Sequence, residues 1–227
     1  MSGATRTDAV SAVVLRKRFG GRGGPVEAVR GVDFSVPRGE IFGFLGPNGA
    51  GKTTTLRMLT TLLPIDEGEA RVAGYDVTRE PGRVRSRIGY VSQVGGADGP
   101  ATGRENLMLQ GRLYGGRKAD VAGRVDQLLV LLDLADFAER KVRTYSGGRL
   151  DVALGIVHNP EILFLDEPTA GLDPQNRANL WDHLRGLSAA GTTVLVTTHY
   201  LEEADVLCDR VMIIDPARSW PRAARRS

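Results

Sequence analysis

Short runs of apolar residues alternate along the chain with stretches in which apolar residues recur at helical spacing. Continuous apolar runs at residues 40–45 and 162–165 predict buried parallel strands. Apolar residues recur at helical spacing over residues 56–63, and Pro64 is expected to end that helix. Strands that alternate with helices indicate an α/β fold with a mostly parallel, doubly wound sheet.

A different pattern covers residues 102–138, which lack β-branched runs and predict helices. Leu107, Leu109 and Leu113 are expected to form one apolar cluster there. A second predicted cluster consists of Val125, Leu128, Leu129, Leu132 and Leu134. We therefore expect an inserted helical lobe over about residues 95–160. The remaining strands are predicted at residues 10–16 (as an edge strand), 28–36, 70–73, 88–91, 193–197 and 211–214.

The stretch between the first buried strand and its helix reads Gly-Pro-Asn-Gly-Ala-Gly-Lys-Thr-Thr. It fits the phosphate-binding pattern G-x-x-x-x-G-K-[ST], in which backbone N–H groups and a helix N-terminus face an anion. Lys52 would reach the β- and γ-phosphates of a nucleotide, and the Thr53 hydroxyl would ligate Mg²⁺. A chance match in a Gly-rich turn is the alternative, and the flanking strand and helix disfavour it. The residues expected to bind nucleotide are Gly46, Pro47, Asn48, Gly49, Ala50, Gly51, Lys52, Thr53 and Thr54.

Two carboxylates, Asp166 and Glu167, directly follow the apolar run at residues 162–165. Open α/β sheets gather functional groups at the carboxyl ends of their strands. Asp166 is therefore a candidate Mg²⁺ ligand opposite Thr53, and Glu167 a candidate general base for an attacking water. The alternative is a carboxylate pair that caps the next helix.

Two further side chains, His199 and Phe19, each allow two interpretations. His199 follows a predicted strand and could reach a γ-phosphate, although a single histidine is more often structural. Phe19 precedes the phosphate-loop core, and stacking on a nucleotide base or a place in the core are equally open from the residues alone. His158 and His183 have no such placement and are assigned to packing or to the surface.

The composition is ordinary for a globular protein, with 41% hydrophobic and 25% charged residues among 227. A net charge of +3 is too small to indicate nucleic-acid binding. The single cysteine, Cys208, excludes an internal disulfide and fits a reducing compartment. No run approaches the ~20 apolar residues that span a membrane, and no signal-peptide core is present at the N-terminus. We expect a cytosolic chain that could dock on a membrane protein.

Six motifs follow one another in a fixed order, at residues 46–54, 93, 146–148, 163–168, 171–173 and 199. This set resembles the Walker A, Q-loop, signature, Walker B, D-loop and switch-histidine motifs of ABC transporter ATPase subunits. Residues 90–93, 102–107 and 145–148 are similar to the daunorubicin/doxorubicin-resistance type of exporter within that family. The resemblance covers residues 10–215. It implies a nucleotide-binding domain with a P-loop NTPase core, a mostly parallel sheet, an antiparallel β edge and the inserted helical lobe.

The resemblance also implies roles for residues and for partners. Phe19 lies where the family's base-stacking aromatic usually lies, and Gln93 would touch Mg²⁺ and report to a membrane partner. Ser146, Gly147 and Gly148 would bind the γ-phosphate of ATP held by an opposite subunit, and Asp173 would also lie at the nucleotide. The implied assembly is a head-to-tail homodimer that sandwiches two ATP, with Mg²⁺, beneath an integral-membrane permease. It would sit peripherally on the cytoplasmic face of the membrane, without nucleic acid.

The signature helix departs from the family pattern, because Arg149 follows Gly148 where relatives usually have about three further residues. Three missing helical residues shorten the segment by ~4.5 Å and rotate it ~60° short of a full turn. Either the loop at residues 139–145 compensates, or Ser146 misses the opposite nucleotide. We expect ATP hydrolysis to be weakened relative to a full-length relative.

A second departure is the end of the chain, where residues 216–227 carry four arginines instead of a further strand and helix. We expect a disordered basic tail; a membrane-surface or permease contact is the alternative.

Three functions compete for the whole chain. The first is a transport ATPase that exports a drug or antibiotic. The second is a non-transport ATPase of the superfamily, and the third is a degenerate protein that binds ATP without turnover.

Overall fold

Two sheets contain the strands of the described part of the chain, and helices cover the larger sheet. The computed structural model describes residues 8–21, 24–144, 148–215 and 224–225. The strands are β1 (Asp8–Phe19), β2 (Val26–Pro37), β3 (Ile41–Leu45), β4 (Glu67–Val72), β5 (Tyr75–Asp76), β6 (Ile88–Val91), β7 (Ile162–Asp166), β8 (Thr193–Thr198), β9 (Arg210–Ile213) and β10 (Ala224–Arg225). The helices are α1 (Lys52–Leu59), α2 (Pro81–Arg85), α3 (Gly103–Leu113), α4 (Lys118–Leu131), α5 (Gly148–Ile156), α6 (Pro174–Ala189) and α7 (Leu201–Leu207), with 3₁₀ turns at Ala135–Phe137 and Val142–Thr144.

The larger sheet has the order β10-β9-β3-β8-β7-β6. Its strands run parallel apart from β10, which pairs antiparallel with β9. The strands β7 and β8 are buried along their whole length, which explains why they read as continuous apolar or threonine-rich runs. The predicted α/β fold with a mostly parallel sheet is confirmed.

The smaller sheet is antiparallel, with the order β2-β1-β4-β5. It confirms the antiparallel part of the fold, but the prediction that residues 10–16 form an edge strand is wrong. Strand β1 is longer than expected and pairs with β2 on one side and β4 on the other. Because β1 is paired on both sides, it is an interior strand, and its residues Val10 and Leu15 are fully buried.

Helix α1 ends earlier than predicted, at Leu59 and not at Pro64. Thr61 adopts a left-handed conformation with φ of 64°. The backbone N–H groups of Leu62 and Leu63 both donate to the Arg57 carbonyl, at 2.8 and 3.0 Å. These bonds satisfy a carbonyl at the helix end, so the last turn closes before the proline is reached.

The helical segment between β6 and β7 confirms one predicted apolar cluster and corrects the other. All five residues of the second cluster, from Val125 to Leu134, are buried. In the first cluster Leu107 is fully buried, whereas Leu109 is 59% and Leu113 72% exposed. Positions two and six residues on from Leu107 lie ~200° and ~240° around the helix axis, so they face away from it.

Two further findings concern membranes and the predicted tail. In the part of the chain that the structure describes, every helix is too short or too polar to traverse a lipid bilayer. Within the predicted tail, the structure describes β10, which pairs with Arg210 and Val211. The other residues of 216–227 lie outside the described ranges.

We predict that Leu107→Ala lowers the free energy of unfolding by about 2–5 kcal/mol, because it leaves a cavity among buried side chains. Leu113→Ala, six residues on in the same helix, should change it by less than about 0.5 kcal/mol. Urea unfolding followed by circular dichroism measures both values. Equal losses for the two variants would contradict the assignment of the faces of α3.

Candidate functional site

The carboxyl ends of four neighbouring parallel strands meet at one edge of the larger sheet. In the order β3-β8-β7-β6 they are followed by the phosphate loop, His199, Glu167 and Gln93 respectively. Segments far apart in sequence are thereby brought together, as expected for an open α/β sheet. The site consists of side chains from these four ends and from the first residues of α1.

The phosphate loop curls tightly because glycines occupy its strained positions. Gly49 and Gly51 have φ of 82° and 101°, which side chains rarely adopt. A Cβ at Gly51 would also collide with the Ala28 carbonyl oxygen of β2. The Gly46 N–H donates to the Thr198 carbonyl at 3.3 Å, which ties the loop to the end of β8.

Lys52, the first residue of α1, folds back over the loop. Its ammonium group donates to the carbonyl oxygens of Gly46 at 2.8 Å and Pro47 at 3.1 Å. The side chain is only 4% exposed, so this charge is held away from bulk water. A buried ammonium that faces backbone carbonyls and one carboxylate can exchange those contacts for phosphate oxygens.

Asp166 is buried at the end of β7 and receives two hydroxyl groups on one oxygen. Thr53 and Thr197 donate to its Oδ1 at 2.8 and 2.7 Å. The predicted juxtaposition of Thr53 and Asp166 is therefore present, although they are 113 residues apart in sequence. Sequence reasoning missed Thr197; the signal was a pair of threonines, at 197 and 198, directly after the apolar residues of β8.

Glu167 has a left-handed backbone with φ of 49°, and its carboxylate is the meeting point of the site. Its backbone N–H donates to the Thr197 hydroxyl at 2.9 Å, which fixes the turn after β7. Its oxygens lie 3.3 Å from the Lys52 ammonium, 3.3 Å from the Gln93 amide nitrogen and 3.3 Å from the His199 Nδ1. The alternative that Asp166 and Glu167 cap the next helix does not fit. Asp166 contacts Thr53, Glu167 lines the cleft, and the N-cap of α6 is Asp173.

An open cleft of about 260 Å³ lies over the loop and Glu167. Its lining combines backbone N–H groups at a helix N-terminus with one ammonium group, which suits a polyanion. The lining residues are Ala28, Asn48, Gly49, Gly51, Lys52, Thr53, Thr54, Gln93 and Glu167. Ala28, on β2, was not predicted from the sequence.

Phe19 lies at the end of β1 and is 40% exposed, so its ring is not in the core. The Lys17 ammonium lies 5.6 Å from the ring centroid and also pairs with Asp66 at 2.7 Å. Because the ring is exposed, the hypothesis that Phe19 belongs to the core is wrong. Stacking on a base stays a prediction.

The signature motif is only partly described. Ser146 and Gly147 lie outside the described residues, and Gly148 begins α5. Gly148 lines a second cleft of about 250 Å³ that also includes Gln93 and Glu167. In this cleft Asp151, which sequence reasoning did not single out, accepts the Gly96 N–H at 3.0 Å; burial raises the pKa of its carboxyl group.

Asp173 is the N-cap of α6 in this structure. Its carboxylate accepts the Asn176 N–H at 3.0 Å, and this bond is the main cause of its lowered pKa. It does not line the cleft over the phosphate loop. His158 and His183 take up packing positions, as predicted: His158 contacts the Ile88 carbonyl at 2.9 Å, and His183 lies 3.6 Å from Asp133.

A divalent cation would find oxygen ligands beside Lys52. The Thr53 hydroxyl, the Asp166 carboxylate and the Gln93 side-chain amide are the oxygen donors that Mg²⁺ prefers, and the first two already touch. Within the described residues, no group of three histidine, cysteine or acidic side chains could hold a metal alone. The residues present therefore fit a Mg²⁺ that is completed by phosphate and water.

Comparison with known proteins gives a consistent result. Residues 29–170 match the family model described as ABC transporter. The chain is 53% identical over 194 residues to the daunorubicin/doxorubicin resistance ATP-binding protein DrrA of Streptomyces peucetius, covering 84% of this chain and 59% of that protein. It is 41% identical to the linearmycin resistance ATP-binding protein LnrL of Bacillus subtilis, covering 82% and 61%. The chain thus spans about three-fifths of the length of these relatives.

Solved structures agree. The dimeric post-hydrolysis structure of the ATP-binding cassette MJ0796, bound to ADP and Pi, superposes with a TM-score of 0.85 at 25% identity, covering 95% of this chain and 98% of that one. A nucleotide-free ATP-binding cassette from an ABC transporter superposes with a TM-score of 0.84 at 23% identity, covering 97% and 92%. The second match speaks for the fold alone.

We predict that Thr197→Val lowers the free energy of unfolding by about 2–3 kcal/mol, because it removes a buried hydroxyl that both donates and accepts a hydrogen bond. Thr193→Val is the matched control on the same buried strand. Among the described residues its hydroxyl has one hydrogen-bond partner, the Gly39 N–H at 2.9 Å, so a loss of about 1 kcal/mol is expected. Urea unfolding compares the two, and a larger loss for Thr193→Val would refute the special place of Thr197.

Proposed function

The chain belongs to the ABC transporter family, and on that premise we propose that it binds MgATP over the phosphate loop and hydrolyses it to drive a separate membrane permease. One observation carries the proposal. The Glu167 carboxylate lies between the Lys52 ammonium, the Gln93 amide and the His199 imidazole, at the wall of the cleft. This arrangement supports a role for Glu167 as general base beside the proposed phosphate site.

Binding of the triphosphate falls to the phosphate loop, residues 46–54. The backbone N–H groups at the start of α1 and the Lys52 ammonium face the cleft and would hold the β- and γ-phosphates. Phe19 is proposed to stack on the adenine base, since its exposed ring is free of the core. Thr53, Asp166 and Gln93 would hold Mg²⁺, and the ion would neutralise phosphate charge.

Hydrolysis is proposed to use Glu167 as general base. A carboxylate oxygen would accept a proton from the attacking water, which lines up with the γ-phosphate. His199 would orient Glu167 and contact the γ-phosphate, and Lys52 would stabilise the charge on the transferred group. The Thr197 hydroxyl, through the Glu167 N–H, would hold the base in place.

Assembly into a head-to-tail homodimer is part of the proposal. A related cassette is dimeric in its solved structure with ADP and Pi. Ser146, Gly147 and Gly148 would meet the γ-phosphate held by the opposite subunit, with Asp173 nearby. Gly148 supports this reading because it opens α5 at the rim of a cleft that also contains Glu167.

A membrane partner and a cargo follow from the relatives. The DrrA and LnrL proteins named above are drug or antibiotic resistance ATP-binding proteins, so we propose a permease that exports such a compound, with this chain peripheral on its cytoplasmic face. Residues 10–215 would be the nucleotide-binding domain, with the helical lobe inserted at about residues 95–160. Residues 216–227 would be a basic tail of which β10 is a part. No role in binding nucleic acid is proposed.

A second candidate rests on the junction at Gly148. Arg149 follows Gly148 directly in the sequence, and the expected shortening of the signature helix would weaken its contact with the opposite ATP. In this alternative the chain binds ATP with weak or no turnover.

We predict that the purified chain hydrolyses ATP with Mg²⁺ and that Glu167→Gln slows steady-state turnover by about 10²–10⁴ while ATP binding persists. Glu202→Gln, on the exposed start of α7, is the matched control and should leave the rate unchanged. A loss below tenfold for Glu167→Gln would remove Glu167 as general base. Binding without turnover in the wild type would favour the second candidate.

Insertion of Met-Arg-Arg after Gly148 is predicted to raise the ATPase rate, because it restores the length of the signature helix. The same insertion after Gly191, in the exposed turn before β8, controls for the added arginines. No gain at Gly148, or an equal gain at both sites, would contradict the idea that the short signature weakens hydrolysis.

A further inference from the structure

His199 needs a fixed orientation if it is to serve Glu167, yet it lies in a bend after β8 and its side chain is 32% exposed. A single contact at 3.3 Å, between His199 Nδ1 and Glu167, would leave the ring able to rotate. A fixed orientation of the imidazole therefore requires a further contact.

The next residue supplies a ring contact. The centroids of the His199 and Tyr200 rings are 4.0 Å apart, with the planes tilted by 39°. The Tyr200 backbone is itself fixed, because its N–H donates to the Thr198 hydroxyl at 3.0 Å. The phenol ring therefore packs against one face of the imidazole.

Arg177 also contacts the Tyr200 ring. Its guanidinium lies 4.8 Å from the Tyr200 ring centroid, within the range of a cation–π contact. Arg177 belongs to the first turn of α6, and its N–H donates to the Asp173 carbonyl at 3.0 Å. A chain of contacts thus runs from the start of α6 through Tyr200 and His199 to Glu167.

A buried carboxylate links α6, which carries Arg177, to α7, which begins directly after Tyr200. Glu203, on α7, is 1% exposed and accepts the Trp181 indole N–H of α6 at 3.1 Å. It also accepts the Thr169 hydroxyl, from the loop after Glu167, at 3.0 Å. Arg177 and Tyr200 therefore face each other from supports with a fixed spacing.

We propose that Tyr200 is a positioning residue for hydrolysis, which holds the His199 imidazole against Glu167 and is itself held by Arg177. The proposal rests on the proposed function for the roles of His199 and Glu167. The positioning role is assigned to the aromatic ring of Tyr200 and not to its hydroxyl group.

The kinetic test compares Tyr200→Ala with Tyr200→Phe. Tyr200→Ala is expected to lower the kcat for ATP by roughly three- to tenfold, the effect of losing an aromatic contact, while the Kd for ATP stays within about twofold. Tyr200→Phe should restore the wild-type kcat, and Arg177→Met should lie between the two. Equal kcat values for Tyr200→Ala and wild type would overturn the proposal.

The chain offers a matched control in a second tyrosine–histidine stack. The Tyr114 and His158 rings lie 3.7 Å apart with an interplanar angle of 7°. His158 contacts the Ile88 carbonyl at the start of β6, the opposite end of the strand from Gln93. Tyr114 is 45% exposed and Tyr200 37%. Tyr114→Ala is expected to leave kcat unchanged, and a fall equal to that of Tyr200→Ala would indicate a general packing effect and overturn the proposal.

A measurement without turnover separates this inference from the proposed function. The chain has three histidines, so their imidazole Hε1 resonances can be assigned in full-length protein from His199→Asn and His158→Gln. Tyr200→Ala should move the His199 resonance downfield by removing the ring-current shift, and Tyr200→Phe should not; Tyr114→Ala should move only His158. An unmoved His199 resonance in Tyr200→Ala would refute the ring contact. If the wild type bound ATP without turnover, the proposed function would fail while this spectrum still decided the contact.

Discussion

The carboxylate of Glu167 depends on partners that come from every neighbouring segment of the site. Lys52, Gln93 and His199 reach it from α1, from the end of β6 and from the end of β8, and each contact is 3.3 Å long. A buried polar group is costly unless it is paired, so these contacts compensate for placing the Glu167 carboxylate away from bulk water. The left-handed backbone at Glu167, bonded to the Thr197 hydroxyl, directs the side chain to this point. A bound phosphate would compete with Glu167 for the Lys52 ammonium. Binding of phosphate would thereby free the Glu167 carboxylate from that contact.

The sheet order is what makes this convergence possible. Strands β3, β8, β7 and β6 are neighbours in space although the chain visits them far apart, so the phosphate loop and the two carboxylates meet at one edge. Glycines in the loop permit the close approach of β2, where the Ala28 carbonyl occupies the space that a Cβ at Gly51 would need. The rigid central strands hold the site, and the contacts through α6 and α7 add support from the outer layer.

Sequence reasoning was strongest where one residue type has one physical use. The phosphate loop, with its glycines, lysine and threonine, and the carboxylates after a wholly apolar strand were predictable, since few other settings need those residues in that order. It fails where partners are distant: the prediction of β1 as an edge strand is wrong because the pairing of β1 with β4 depends on the fold. Leu109 and Leu113 were misplaced because apolar residues were grouped without their angles around the helix. Thr197 and Tyr200 matter through contacts that a single sequence does not reveal.

The proposed function depends on Lys52 binding phosphate in the cleft. The most direct measurement is the ATP affinity of the wild type and of Lys52→Ala by isothermal titration calorimetry with Mg²⁺. The exposed Lys118→Ala serves as the matched control. We expect the wild type and Lys118→Ala to bind alike and Lys52→Ala to show no binding, because the loop would lose the ammonium group that meets the β- and γ-phosphates. Unchanged affinity in Lys52→Ala would contradict the assignment of the loop and, with it, the function built on it.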